Sequence, residues 1–146
     1  MPQLSNWDIE LKKTSLVQHD LATYLTQTGA PDDDPQRALF YGLKARIQAL
    51  SCLKALEADD MEMADGAMLE VYYALNRAKT TATGTFAQTL ADARAIVDTV
   101  GAPSDSPEEA HGLLDEFVTA LAPLLDQVEA VLPSTTTTVR PATTSS

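Results

Sequence analysis

The sequence predicts an all-α protein: an antiparallel bundle of four or five helices with short turns and a disordered C-terminal tail. Three observations carry that prediction. Apolar residues recur at alternating spacings of four and three, as in Ala110, Leu114, Phe117, Leu121, Leu124, Val128 and Val131, which lines one face of a helix. Good helix formers such as Ala, Leu, Gln, Glu and Met are frequent, aromatics make up only 5 %, and Ile and Val never alternate over a useful length. Capping residues, glycines and prolines then divide the chain into helix-length pieces. With 146 residues there is enough chain for one core, so residues 1–133 are assigned to a single domain and 134–146 to a tail.

Helix 1 is expected over Ser5–Thr28. Ser5 and Asp8 have the spacing of a capping box, and Leu4 and Ile9 that of a hydrophobic staple. Gly29 and Pro31 end it. Trp7, Leu11, Leu21 and Leu25 share a face flanked by Val17 and Tyr24, whereas Ile9 and Leu16 form a small patch nearly opposite. A solvated turn follows, containing Asp32-Asp33-Asp34. Adjacent carboxylates do not converge on a cation without a folded loop such as the calcium hand, and that spacing is absent.

Helix 2 is expected over Pro35–Ala58, with Asp34 as cap and Pro35 at the first position, where its missing N–H costs nothing. It is apolar on two sides. Leu39, Phe40, Leu43, Ile47, Leu50 and Leu53 make one face, and Tyr41, Ala45, Ala49, Cys52 and Leu56 the other. Such a helix is central in a bundle or lies at an oligomer interface. Glu57–Asp65 is an acidic junction in which Asp59 and Glu62 can cap helix 3, although no Gly or Pro rules out a continuous helix. Helix 3 then reaches about Thr81, with Met61, Ala64, Met68, Val71, Tyr72, Leu75 and Ala78 facing inward.

Thr85 and Gln88 form a second capping box, opening a helix with Phe86, Leu90, Ala93, Val97 and Val100 on its inner face and Gly101 and Pro103 at its end. Arg94 beside that seam is expected to reach a carboxylate on another helix. Helix 5 is expected over Ser106–Leu132; Pro123 inside it predicts a kink or a break near Ala122, and the stripe staying in register across the proline favours a single kinked helix. Ser134–Ser146, rich in Ser and Thr, lacks the apolar content to pack.

Net charge is −11, from 21 acidic and 10 basic residues. Nucleic-acid binding needs a basic footprint, and an anionic membrane surface attracts the same sign, so neither partner is expected. Met1–Lys13 has no apolar leader core and no stretch is long and apolar enough to span a bilayer, so a cytoplasmic protein is expected. The single cysteine, Cys52, excludes an intramolecular disulfide and reads as a packed thiol.

No reaction is legible in this sequence. Glu57 with Asp60, and Glu62 with Asp65, lie three apart and can share a helix face, as in the magnesium-binding pairs of all-helical nucleotide pyrophosphohydrolases. The matching motif on a second helix is missing. Met61, Met63 and Met68 raise soft-metal binding, but such sites need several converging Met or His, and the methionines are read as core filling. Glu108 and His111 have the Glu-x-x-His spacing of di-iron bundles, whose second copy is absent, since Leu16 stands three before His19. His111-Gly112-Leu113 resembles the start of the histidine segment of phosphotransfer domains, but Leu114 and Asp115 replace the lysine and small residue that follow there.

The expectation is therefore a non-enzymatic interaction protein without cofactor, an adaptor, chaperone or regulator that binds a protein partner or itself as a homodimer. Its candidate interface residues are Ile9, Leu16, Tyr41, Cys52 and Leu56. The alternative is a metal- or small-molecule-binding bundle using Glu57, Asp60, Glu62, Asp65 and Glu70.

Overall fold

A computed structural model describes residues 6–29, 31 and 34–132. The expected capping box at Ser5, Leu4 of the staple and the tail 134–146 lie outside the described residues. The described chain forms six α-helices: α1 (Asn6–Thr28), α2 (Pro35–Glu57), α3 (Met61–Thr81), α4 (Gly84–Val97), α5 (Pro107–Ala120) and α6 (Pro123–Val131). One 3-10 turn, Pro103–Asp105, precedes α5. No strand occurs among the described residues.

The bundle is built on α2. It packs most extensively against α3, then α1, and also touches α5 and α6. Its two apolar sides explain this: Leu39, Leu43, Ala45, Ala49, Leu50, Cys52, Leu53 and Leu56 are all buried. The sequence-expected inner face of α4 is buried at Phe86, Leu90, Ala93 and Val97, and Val100 is buried three residues beyond the helix, which ends earlier than Gly101 suggested. Gly42, mid-helix in α2, marks a close approach. A Cβ there would stand 2.8 Å from Leu124 Cδ1 and 3.1 Å from Phe86 Cζ. Glycine at this position lets side chains of α4 and α6 reach the α2 backbone.

Helices 2 and 3 are separate, and the break uses neither Gly nor Pro. Asp59 adopts a left-handed conformation, φ 62°. Asp60 N–H reaches back to the Ala55 carbonyl at 2.8 Å and Asp59 N–H to Leu56 at 3.1 Å. This closes α2 in a Schellman pattern with Asp59 in the place glycine usually takes. The cap of α3 is Asp60, whose Oδ1 accepts from Met63 N–H at 3.1 Å. The expected Asp59 cap is thereby corrected: Asp59 terminates the preceding helix.

The final stretch is two helices, not one kinked helix. Pro123 has no N–H to give the Thr119 carbonyl. Ala122 N–H bonds to Thr119 instead, at 3.1 Å. That choice deprives the Val118 carbonyl of its helical donor, and Arg46 Nε from α2 supplies one at 3.1 Å. The stripe stays buried across the break, from Leu114, Phe117 and Leu121 to Leu124 and Val128, which is why the pattern alone read as continuous. Helix α4 begins at Gly84, with Thr83 at the cap position, slightly earlier than the Thr85 box suggested.

Arg46 is the polar centre of the bundle. It is 2 % exposed. Besides Val118, it donates to Thr14 Oγ1 through Nη1 and to Glu10 Oε1 through Nη2, the latter at 2.9 Å. One side chain of α2 thus satisfies groups on α1 and α5. A second lock joins α3 to the end of α4. The Tyr72 hydroxyl lies 2.6 Å from the carbonyls of both Val97 and Val100. Partial burial and Asp98 raise the Tyr72 pKa, against a lowering effect of Arg94.

Candidate interaction surface

The acidic junction is distributed among separate structural tasks. Glu57 Oε2 accepts from Trp7 Nε1 at 2.6 Å and lies 3.1 Å from His111 Nε2. Asp60 caps α3, Glu62 is exposed in its first turn, and Glu70 is exposed further along. Asp65 accepts from both the backbone N–H and the hydroxyl of Ser104, at 3.0 and 2.7 Å. Among the described residues, no group of three or more His, Cys, Asp or Glu side chains is placed to hold a metal ion.

Trp7, Glu57 and His111 form a three-helix junction of α1, α2 and α5. The Trp7 and His111 rings meet edge to face, with centroids 6.0 Å apart. The indole hydrogen bond is the main cause of a lowered Glu57 pKa, opposed by desolvation and assisted by His111. The histidine's carboxylate partner is Glu57, which the Glu108/His111 spacing in sequence does not reveal. Nearby, the ammonium of Lys54 pairs with Asp8, tying α2 to α1. Arg94 pairs with Asp98 in the turn that closes α4, at 3.5 Å, and its contact with α3 is a hydrogen bond to the Asn76 amide oxygen at 2.8 Å. The interhelical partner of Arg94 is therefore an amide, not the expected carboxylate.

The five expected interface residues separate into three environments. Cys52 and Leu56 lie in the core, because α3 covers that side of α2. The Cys52 thiol is 3.3 Å from the Ala64 carbonyl, and burial, with a smaller effect of Asp65, pushes its pKa up to about 12. Such a thiol stays protonated and unreactive. Tyr41 is half-buried, its hydroxyl accepting from Arg77 Nη2 at 2.9 Å, with the guanidinium 4.8 Å from the ring centroid. Ile9 and Leu16 remain at the surface, each more than half exposed.

Ile9 and Leu16 line a shallow, open apolar groove on α1 with Val17, edged by Asp8, Lys12 and Lys13. A second exposed apolar face, unremarked in the sequence, lies on α3. Met63, Leu69 and Tyr73 are each more than half exposed there, with Gly66 open beside them. These five are the large apolar side chains left exposed among the described residues. The signal was available: 66, 69 and 73 fall on one helical face opposite the buried 64, 68, 71, 75 and 78. A separate cleft of about 330 Å³ between α3 and α4 is lined by Leu75, Leu90, Ala91 and the stems of Lys79 and Arg94. It is apolar and could admit a small molecule.

No helix among the described residues is long and apolar enough to cross a membrane. No protein-family model matches the chain, and comparison with curated proteins and with solved structures finds no significant match.

Proposed function

We propose that this chain is a non-enzymatic interaction protein that associates with itself and with protein partners through the outer faces of α1 and α3. The observation that carries the reading is the confinement of every exposed large apolar side chain among the described residues to those two helices. Contiguous exposed apolar surface is costly in water and marks association sites. The polar groups beside these faces support the reading: Glu57, Asp60 and Asp65 serve caps and interhelical bonds, and the one cysteine is buried and protonated.

Light scattering on material eluting from a sizing column tests the proposal, run up to ~0.5 mM, above the dissociation constants of weak interfaces. A mass that rises with concentration is expected. A strict monomer across that range overturns self-association.

A further inference from the structure

The centres of the two exposed apolar faces carry opposite charge, Asp8 at the end of the α1 groove being paired with Lys54. On α1, Ile9 and Leu16 stand two helical turns apart with exposed Lys12 and Lys13 between them. On α3, Gly66 and Tyr73 have the same separation, with Leu69 and the exposed Glu70 between them and Glu62 one turn before. None of Lys12, Lys13, Glu62 and Glu70 makes an ion pair with another described residue. Lys12 and Lys13 are the one adjacent pair of basic residues in a chain of net charge −11, and they sit where the apolar surface is open.

Both helices pack on α2, and their contact with each other is slight. Each exposed face therefore belongs to a different flank of the molecule. We infer that the α1 face of one copy docks on the α3 face of a second copy, a head-to-tail contact between complementary surfaces. This inference rests on the self-association proposed above and specifies its geometry. With the two helices parallel, Ile9 comes level with Gly66 and Leu16 with Tyr73. Glycine there leaves open space in which an isoleucine can seat, since a Cβ at 66 meets nothing within 4 Å. In that register Lys12 and Lys13 come level with Leu69 and Glu70, and Asp20 with Arg77. The antiparallel register instead sets Asp20 against Glu62. A symmetric α1–α1 pairing places the lysines of the two copies together, which costs free energy. Unlike a two-fold contact, a head-to-tail contact leaves one face of each kind free at the ends, so it builds rings or chains.

Mixing of two face variants tests this directly. Leu16→Asp removes the α1 face and keeps α3, and Tyr73→Asp does the reverse. Both positions are exposed, so far-UV circular dichroism should match wild type. Each variant alone is expected to be monomeric at concentrations where wild type associates. An equimolar mixture is expected to give a 1:1 dimer, because one intact pair of faces remains. Persistent self-association of Tyr73→Asp together with loss in Leu16→Asp overturns the head-to-tail geometry and leaves self-association standing through α1 alone. A monomeric mixture likewise overturns it. A second pair reads charge without touching the apolar residues. Lys12→Glu/Lys13→Glu and Glu62→Lys/Glu70→Lys should each lose self-association and regain it when mixed. Undiminished self-association of either charge variant overturns the proposed charge match.

Discussion

Arg46 Nε lies 3.1 Å from the Val118 carbonyl, a group that the neighbouring proline has stripped of its helical partner. The guanidinium thereby links the α5–α6 break to α1 through Thr14 and Glu10. Arg46→Ala leaves the Val118 carbonyl buried without a donor and the Thr14 hydroxyl without its arginine. We expect a loss of about 2–4 kcal/mol in chemical denaturation. Glu10→Gln retains an acceptor at a partly exposed position and should cost ~1 kcal/mol or less. Equal losses for the two variants would show that Arg46 does not act as the bridge between helices.

Glu57 gives the chain an acid-sensitive joint. Its folded pKa lies below the ordinary carboxylate value of 4.5, so its contribution to stability is present above that value and fades as pH falls through the folded pKa. Trp7, the single tryptophan, reports on the joint by fluorescence. Its emission should change as Glu57 protonates below pH 4.5. In Glu57→Gln that transition should disappear, while unfolding at neutral pH shifts only modestly because the group is largely exposed. An unchanged acid transition in the variant would remove Glu57 from this role.

The buried thiol should be silent in the native state. With its pKa pushed up to about 12, Cys52 stays protonated at neutral pH, so a disulfide reagent should label it only at the rate of unfolding. The sign at high pH follows. Unfolded chains give up the thiol proton near 9.0, folded chains near 12, so stability falls across that window. Cys52→Ala should lose less stability on raising pH through it. Rapid native labelling would place the thiol at the surface.

Three backbone positions discriminate packing from propensity. Gly42→Ala should destabilise by about 1–3 kcal/mol despite alanine's better helix propensity, because its Cβ meets Leu124 Cδ1 at 2.8 Å. Gly112→Ala in α5 meets nothing within 4 Å and should stabilise by ~1 kcal/mol. Asp59→Gly relieves a left-handed aspartate and should stabilise by ~0.5–1 kcal/mol. Thermal or urea unfolding checks all three, and a stabilised Gly42→Ala would refute the close α2–α4–α6 contact.

Local chemistry by itself determined the all-α class, the start of α2 at Asp34-Pro35, the buried faces of α2, α3 and α4, and the exposure of Ile9 and Leu16. Those features follow from a 3.6-residue period and from caps, which act within one or two turns. Tertiary structure decided the rest, because each case depends on a partner distant in sequence. Whether Pro123 kinks or breaks a helix rested on Arg46 being available for Val118, 72 residues away. The partner of His111 was Glu57, 54 residues away, rather than the neighbouring Glu108. Cys52 and Leu56 were apolar on a second face of α2, but only the docking of α3 showed that face to be core. The same packing left Leu69 and Tyr73 outside, since α2 meets α3 on one side and no described helix covers the other.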